Sequence, residues 1–399
     1  MEKSFRSTAL TIFAVLTAIS TLLLISVGGI VTSKGVGMSV PDWPTTYGYN
    51  MFFFPFSKWE GGIFHEHSHR LLASLVGLFT VILAVWLHGR PARRFLRVFG
   101  FLLVAFSVMI AIFTQGRLQT ASVMALCGFV SVALSFGWPG NLPAPGWVRR
   151  LGLAAVGAVL LQGLLGGLRV TLYKDQIGIF HGVLAQLFFC LVCLLAFVAS
   201  TKWEEIGLVR TQSPGIRSFG ILLTLLVVVQ LGLGATMRHQ HAGLAIPDFP
   251  LAYGGWWPAT DEHSLIKYNQ NKLDVGTNKA VTSFQIQLQM THRVTACIIL
   301  LASLLLLKKT AWNLGWKLPL TRISAVLVAL VLVQFSLGAF TIWSDKAADI
   351  ATAHVAVGAL TLAGCFLFST MAWKSMPQAS MEILLAHAAG SPSILQESH

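Results

Sequence analysis

The sequence predicts an all-α integral membrane protein: two parallel, pseudo-symmetric four-helix bundles, eight core helices in all, plus an inserted two-helix hairpin. Three observations predict it. Of the 399 residues, 55% are hydrophobic and only 11% are charged; with a mean hydropathy of +0.71, this is far from the balance of a soluble domain. Apolar stretches able to cross about 30 Å of hydrocarbon, which takes about 20 helical residues, recur ten times. One segment is also written twice: GGIVTSKGVGMSVPDWPTTYG from Gly28 and GATMRHQHAGLAIPDFPLAYG from Gly234, with Pro41, Asp42, Pro44, Tyr47 and Gly48 falling at one constant spacing on Pro247, Asp248, Pro250, Tyr253 and Gly254.

The spans fall at about 9–33, 66–88, 95–113, 121–138, 151–171, 178–200, 217–238, 285–307, 320–343 and 350–373. The first follows Lys3 and Arg6 but is too long for a signal-peptide core and lacks a small-x-small cleavage site, so it is read as a retained helix. The second opens on Glu66-His67-Ser68-His69-Arg70 and the eighth on Gln289-Met290-Thr291-His292-Arg293. The third and fourth are the shortest and have no counterpart later, which marks 95–138 as an insertion. Being two helices, it leaves both halves in the same orientation. The sixth and tenth carry His181 and His354 near their starts. The halves are thus 1–206, including the hairpin, and 207–374, with a tail at 375–399 that reads as disordered.

Lys and Arg cluster in the short loops on the N-terminal side, at Arg6, Arg90, Arg93, Arg94, Arg149, Arg150, Lys308, Lys309 and Lys317 among others. The positive-inside rule therefore predicts a multi-pass protein of the cell inner membrane with a cytoplasmic N-terminus and two long outer loops, 34–65 and 239–284. The net charge of +13 is accounted for by topology, and no nucleic-acid partner is expected. All five cysteines (127, 190, 193, 297 and 365) lie in apolar spans. No outer-loop disulfide is expected, and Cys190-x-x-Cys193 reads as core packing.

With this topology the helices bearing His69, His181, His292 and His354 all enter from the outer face, so the four imidazoles lie at one depth in the outer leaflet. A lone membrane histidine can simply bond a neighbouring carbonyl. Four at equivalent places in a duplicated chain instead form two pairs suited to be axial ligands of heme iron, between facing helices of a bundle. Arg70 and Arg293 are positioned either to meet heme propionates or to anchor at the interface. Glu66 breaks the symmetry: it shares a helix face with His69, and its counterpart is Gln289. An ionisable carboxylate at that depth points to function, so one pocket is expected to be active and the other to hold a cofactor. Small pairs at Gly28-Gly29, Gly166-Gly167, Gly234-Ala235 and Gly338-Ala339 on the four other core helices would admit close packing or a porphyrin. His65, His67, His239 and His241 read as loop or mouth residues without an assigned role.

Together the duplicated Pro-Asp-Trp/Phe-Pro loop, the Glu-x-x-His-Arg and Gln-x-x-His-Arg helices, and His181 and His354 resemble the heme A synthase family over about 9–373, apart from 95–138. The resemblance implies oxidation of a methyl group of heme O to the formyl group of heme A for terminal oxidases, by successive hydroxylation and loss of water. It further implies that His69 and His181 flank the substrate heme with Arg70 beside it, that Glu66 is the catalytic carboxylate, and that His292 and His354, with Arg293, hold a heme b cofactor. The chain departs from part of the family in lacking an outer-loop cysteine pair and in carrying the extra hairpin. Membrane lipid, a quinone or other membrane electron acceptor, and heme O synthase are the expected partners. A diheme b-type electron carrier between quinone and an outer acceptor explains the four histidines equally well, but does not need Glu66 to differ from Gln289. A transporter would instead place its polar groups at the midplane.

Overall fold

The computed structural model describes residues 5–114, 118–174, 176–207, 214–270 and 280–375. These form helices α1 (Thr8–Ser33), α2 (Gly61–Leu87), α3 (Ala92–Phe113), α4 (Leu118–Gly137), α5 (Gly146–Thr171), α6 (Ile177–Ala199), α7 (Lys202–Gly207), α8 (Pro214–His239), α9 (Glu262–Gln270), α10 (Ser283–Leu314), α11 (Pro319–Trp343) and α12 (Ala348–Lys374). Ten of them, all but α7 and α9, are long and apolar enough to cross a membrane, and they coincide with the ten expected spans. The two short helices were not anticipated: each lies in a connecting segment and has too few residues for a periodic pattern. The predicted tail beyond Ser375 lies outside the described residues, as do Lys3 and Arg210.

Helix ends follow local chemistry. Ser7 caps α1 by accepting a hydrogen bond from the Leu10 amide. Thr282 and Gln285 form a reciprocal capping box at the start of α10, which satisfies two amides that the first turn leaves open. Pro319 starts α11, where a missing N–H costs nothing, and Gly315, at φ 74°, ends α10 in a conformation that a side chain disfavours.

The long helices close into two rings. In the first half α1 packs on α2, α2 on α5, α5 on α6 and α6 on α1; in the second, α8 packs on α10, α10 on α11, α11 on α12 and α12 on α8. The halves meet through α1 and α6 on one side and α8 and α12 on the other. Leu10, Val76, Leu83, Val148, Val192 and Leu195 fill the first ring, and Ile216, Leu223, Leu306, Leu327, Leu362 and Phe368 the second. Ile25 and Phe189 reach from the first half into the second core. Cys190 and Cys365 are buried there and, like the other three cysteines, are free.

The hairpin α3–α4 is held together by backbone proximity. A Cβ placed on Gly100 would lie 2.6 Å from the Gly128 carbonyl oxygen, and one on Gly128 would lie 2.7 Å from that of Gly100. The chain enters and leaves it at one point: Ala144 N donates to Leu87 O (2.9 Å) and Arg90 N to Asn141 O (3.2 Å). Contact with the core runs through a small cluster in which Ala92, Leu96 and Trp138 pack on Ile82, Val85 and Trp86. Excising 90–141 and joining Gly89 to Leu142 is therefore expected to leave the eight-helix core assembled. Size-exclusion profile and thermal midpoint check this; aggregation, or a midpoint lowered by more than about 10 °C, would show that the hairpin is integral.

Candidate functional site

Each of the four histidines faces the glycine expected on the neighbouring helix of its half. A Cβ on Gly28 would lie 3.0 Å from His69 Nε2; on Gly166, 3.4 Å from His181 Cε1; on Gly234, 3.3 Å from His292 Cε1; and on Gly338, 3.4 Å from His354 Cε1. Any larger residue would occupy the space beside the ring. The Nδ1 atoms of His181, His292 and His354 are buried without a hydrogen-bond partner.

The His292 and His354 rings face each other with centroids 6.5 Å apart. Two metal–imidazole bonds of about 2 Å, with about 1 Å from each nitrogen back to its ring centre, span about 6 Å. The spacing would therefore accommodate one iron between the two imidazoles. His69 lies within electrostatic reach of His181. Among the described residues no group of three or more His, Cys, Asp or Glu side chains could hold a metal ion, so either pair suits a metal that brings its remaining ligands with it, as heme does.

Three glutamines set the depth of these rings. Gln162 Nε2 donates to the His181 carbonyl (3.0 Å), Gln334 Nε2 to that of His354 (2.8 Å) and Gln230 Nε2 to that of His292 (3.0 Å). None was singled out from the sequence, because glutamine on a membrane helix gives no hint of which carbonyl it will reach.

The duplicated loops are latched to α2 and α10 by matching bonds. Glu66, 4% exposed, accepts from Val40 N at 2.8 Å; Gln289, 2% exposed, accepts from Ile246 N at 2.7 Å. In both loops the aspartate folds the turn: Asp42 accepts from Tyr47 N (2.7 Å) and Gly48 N (2.9 Å), and Asp248 from Tyr253 N (2.7 Å) and Gly254 N (2.8 Å). Tyr47 and Tyr253, at φ 49° and 53°, are left-handed, as are the glycines that follow them. Burial alone would raise the Asp42 pKa. The donors from Gly48, Thr45 and Tyr47 outweigh it and hold the carboxyl below its usual range. Burial, with Tyr268 and Asp248 nearby, pushes the Tyr253 phenol up to about 12, so it stays protonated and donates to Ala245 O. Trp43 lies against the backbone of Gly167, where any Cβ would collide with its ring.

The arginines next to the histidines serve these latches. Arg70 donates through Nη1 to Asp42 O (2.7 Å) and Thr45 O (3.1 Å), and through Nη2 to Val40 O (2.8 Å) and to Glu66 Oε1 (2.8 Å). Arg293 donates to Leu251 O (2.9 Å) and Asp248 O (2.7 Å). The physical reason is rotation: one residue on from the histidine is about 100° round the helix, which turns the guanidinium from the ring pair to the loop.

His67 differs from its expected place at the mouth. It is fully buried, its Nδ1 is 3.2 Å from Thr46 Oγ1, and Phe54 and Trp59 close over it at ring distances of 5.1 and 4.7 Å. The loop aromatics folding back over α2 bury it, a contact that local sequence does not display. His65 meets Lys34 Nζ at 3.0 Å, His239 lies against Gly178, and His241 is exposed at φ 54°.

A family described as cytochrome oxidase assembly protein matches residues 51–366. The chain is similar to proteins named heme A synthase: 28% identical over 282 residues to that of Beijerinckia indica subsp. indica, covering 70% of this chain and 62% of the relative. It is 23% identical over 373 residues to that of Alkalihalophilus pseudofirmus, covering 92% and 96%, and 25% identical over 368 residues to that of Shewanella oneidensis, covering 92% and 97%. The chain thus spans less than two thirds of the Beijerinckia relative's length and nearly all of the other two.

Proposed function

The chain belongs to the cytochrome oxidase assembly protein family, and on that footing we propose that it is a heme A synthase, a membrane oxidoreductase that turns a methyl group of heme O into the formyl group of heme A. The observation that carries the reading is the pair of facing imidazoles, His292 and His354, repeated by His69 and His181 at equivalent places in the other half. His69 and His181 flank the substrate heme O, and His292 and His354 ligate a heme b. When bound, heme b supplies one-electron relay chemistry.

Glu66 is the group assigned to the reaction. Its latch to the loop does not need a charge, since Gln289 makes the same bond to the equivalent amide. The charge at 66 is therefore not required for the bond to the loop amide, and the carboxylate, paired with Arg70, is placed to accept protons or steady positive charge beside the substrate. Arg70 takes a proton-donating share in holding that carboxylate at Oε1, and with Arg293 it keeps the loops closed against water. Oxidising a methyl to a formyl group with the oxygen taken from water releases both electrons and protons, and quinone in the same bilayer, reduced to quinol, is their acceptor. Heme O synthase, as the source of a lipid-soluble substrate, is the partner. The orientation is that of an inner-membrane protein with its N-terminus in the cytoplasm, both loops outside and lipid around the rings.

Heme extraction from cells that make heme O, with and without this chain, tests the reading. A formyl heme that appears only with the chain is expected. Unchanged heme O together with a bis-imidazole spectrum would favour the diheme electron carrier instead.

A further inference from the structure

One helical turn outward from the glycines that face the histidines lies a second matched set of residues. On α5, Arg169 follows Gly166 by three positions; on α8, Arg238 follows Gly234 by four. Residues so spaced stand one above the other on one helix face, and both helices run toward the side of the outer loops. On the two remaining helices the same place is taken by threonine: Thr32 four after Gly28, and Thr341 three after Gly338. Each histidine pair thus has one arginine and one threonine on its outer side, with the two residues exchanged between helices from one half to the other. Both threonine hydroxyls bond carbonyls of their own helices, Gly28 O at 2.9 Å and Leu337 O at 2.7 Å. Arg238, by contrast, reaches beyond its own helix.

Arg238 is half-buried and fixed by one end. Its Nη2 crosses to the first half and donates to Gly29 O (2.6 Å) and Ser33 Oγ (2.5 Å) of α1. Among the described residues its guanidinium makes no other hydrogen bond and no ion pair with a carboxylate. It lies within electrostatic reach of His354 and of Arg169, and Arg169 within reach of His69 and His181. The Arg169 guanidinium lies under the first loop, with Nη1 3.0 Å from where a Cβ on Gly37 would be. A half-buried cation at membrane depth with no carboxylate partner among the described residues calls for anionic charge, and Arg293, beside the same histidine pair, is already committed to loop carbonyls.

We propose that Arg238 binds the propionate carboxylates of the heme held by His292 and His354. The inference rests on the heme reading above. It orients that porphyrin with its carboxylates toward the outer face, at the junction of the halves, and its apolar edge in the bilayer.

The full chain purified from heme-starved cells and titrated with protoheme or with protoheme dimethyl ester tests this. In a His69→Ala background, which leaves the second site, the free acid is expected to bind at least about tenfold more tightly than the ester, as for a hydrogen bond to a charged group. Arg238→Gln should abolish that preference while ester binding and the low-spin spectrum persist, which shows that the site still folds. Arg238→Lys should restore part of it. The heme midpoint potential should fall in Arg238→Gln as a neighbouring cation is lost. An unchanged acid-over-ester preference in Arg238→Gln, or its loss only on changing Arg293, overturns the assignment. A wild-type chain that takes up neither porphyrin overturns the heme reading itself.

Discussion

Glu66→Gln is expected to yield a folded, heme-loaded protein whose conversion of heme O falls by about 100-fold or more, the scale on which a positioned proton-transfer group contributes. The structure contains its own rehearsal of this variant. At the equivalent place Gln289 accepts from Ile246 N and turns its amide toward Ile246 O (3.3 Å) and Gly243 O (3.4 Å). A glutamine at 66 can likewise accept from Val40 N and offer its amide to Val40 O, so the latch is kept while the titratable group and its ion pair with Arg70 are lost. Heme A yield, measured by chromatography of extracted hemes beside the absorbance of the purified protein, separates the two effects. A variant that makes heme A at the wild-type rate would return Glu66 to the role of a latch. The reverse change, Gln289→Glu, is expected to create no second activity, because that pocket is the one proposed to hold the cofactor.

His292→Ala and His354→Ala are each expected to remove most of the low-spin heme absorbance. Loss of a residue that only hydrogen-bonds a metal ligand typically weakens metal binding by about 10–100-fold, so loss of a ligand itself should cost no less. The fold should survive either change. Gln230 and Gln334 bond the backbone carbonyls of these residues rather than their rings, and alanine keeps the carbonyl. Pyridine hemochrome analysis per mole of protein reads the loss, and the elution profile in detergent confirms the fold. Full retention of the spectrum in both variants would remove these residues as ligands.

The large features of this molecule were legible because each is written in a local or repeated pattern. Ten apolar runs predicted ten long helices, and the repeat placed Gly28, Gly166, Gly234 and Gly338 at positions that do face the four imidazoles. What the sequence concealed depends on side chains meeting groups far along the chain. Arg70 reaches Val40 and Asp42 across a folded loop, and nothing within its own helix distinguishes that from pointing to a ligand. His67 reads as a mouth residue until Phe54 and Trp59 fold over it. Helices α7 and α9 are too short to carry a period. Arg169 and Arg238 stand out only once the glycines beneath them are known to face histidines, since each otherwise reads as a cation near the end of an apolar span.

The glutamine bonds to the histidine carbonyls have a consequence for turnover. Three of the four histidine carbonyls receive one, but among the described residues no side chain reaches that of His69. The place on α1 that matches Gln230 on α8 is Leu24, which can donate nothing. A side-chain bond between neighbouring helices resists sliding of one along the other, so three imidazoles are fixed in height by two helices each and His69 by its own helix alone. The least restrained imidazole belongs to the half assigned to substrate. A permanent tenant gains from a rigid landlord, whereas a guest that must leave after every reaction is better served by one wall that yields.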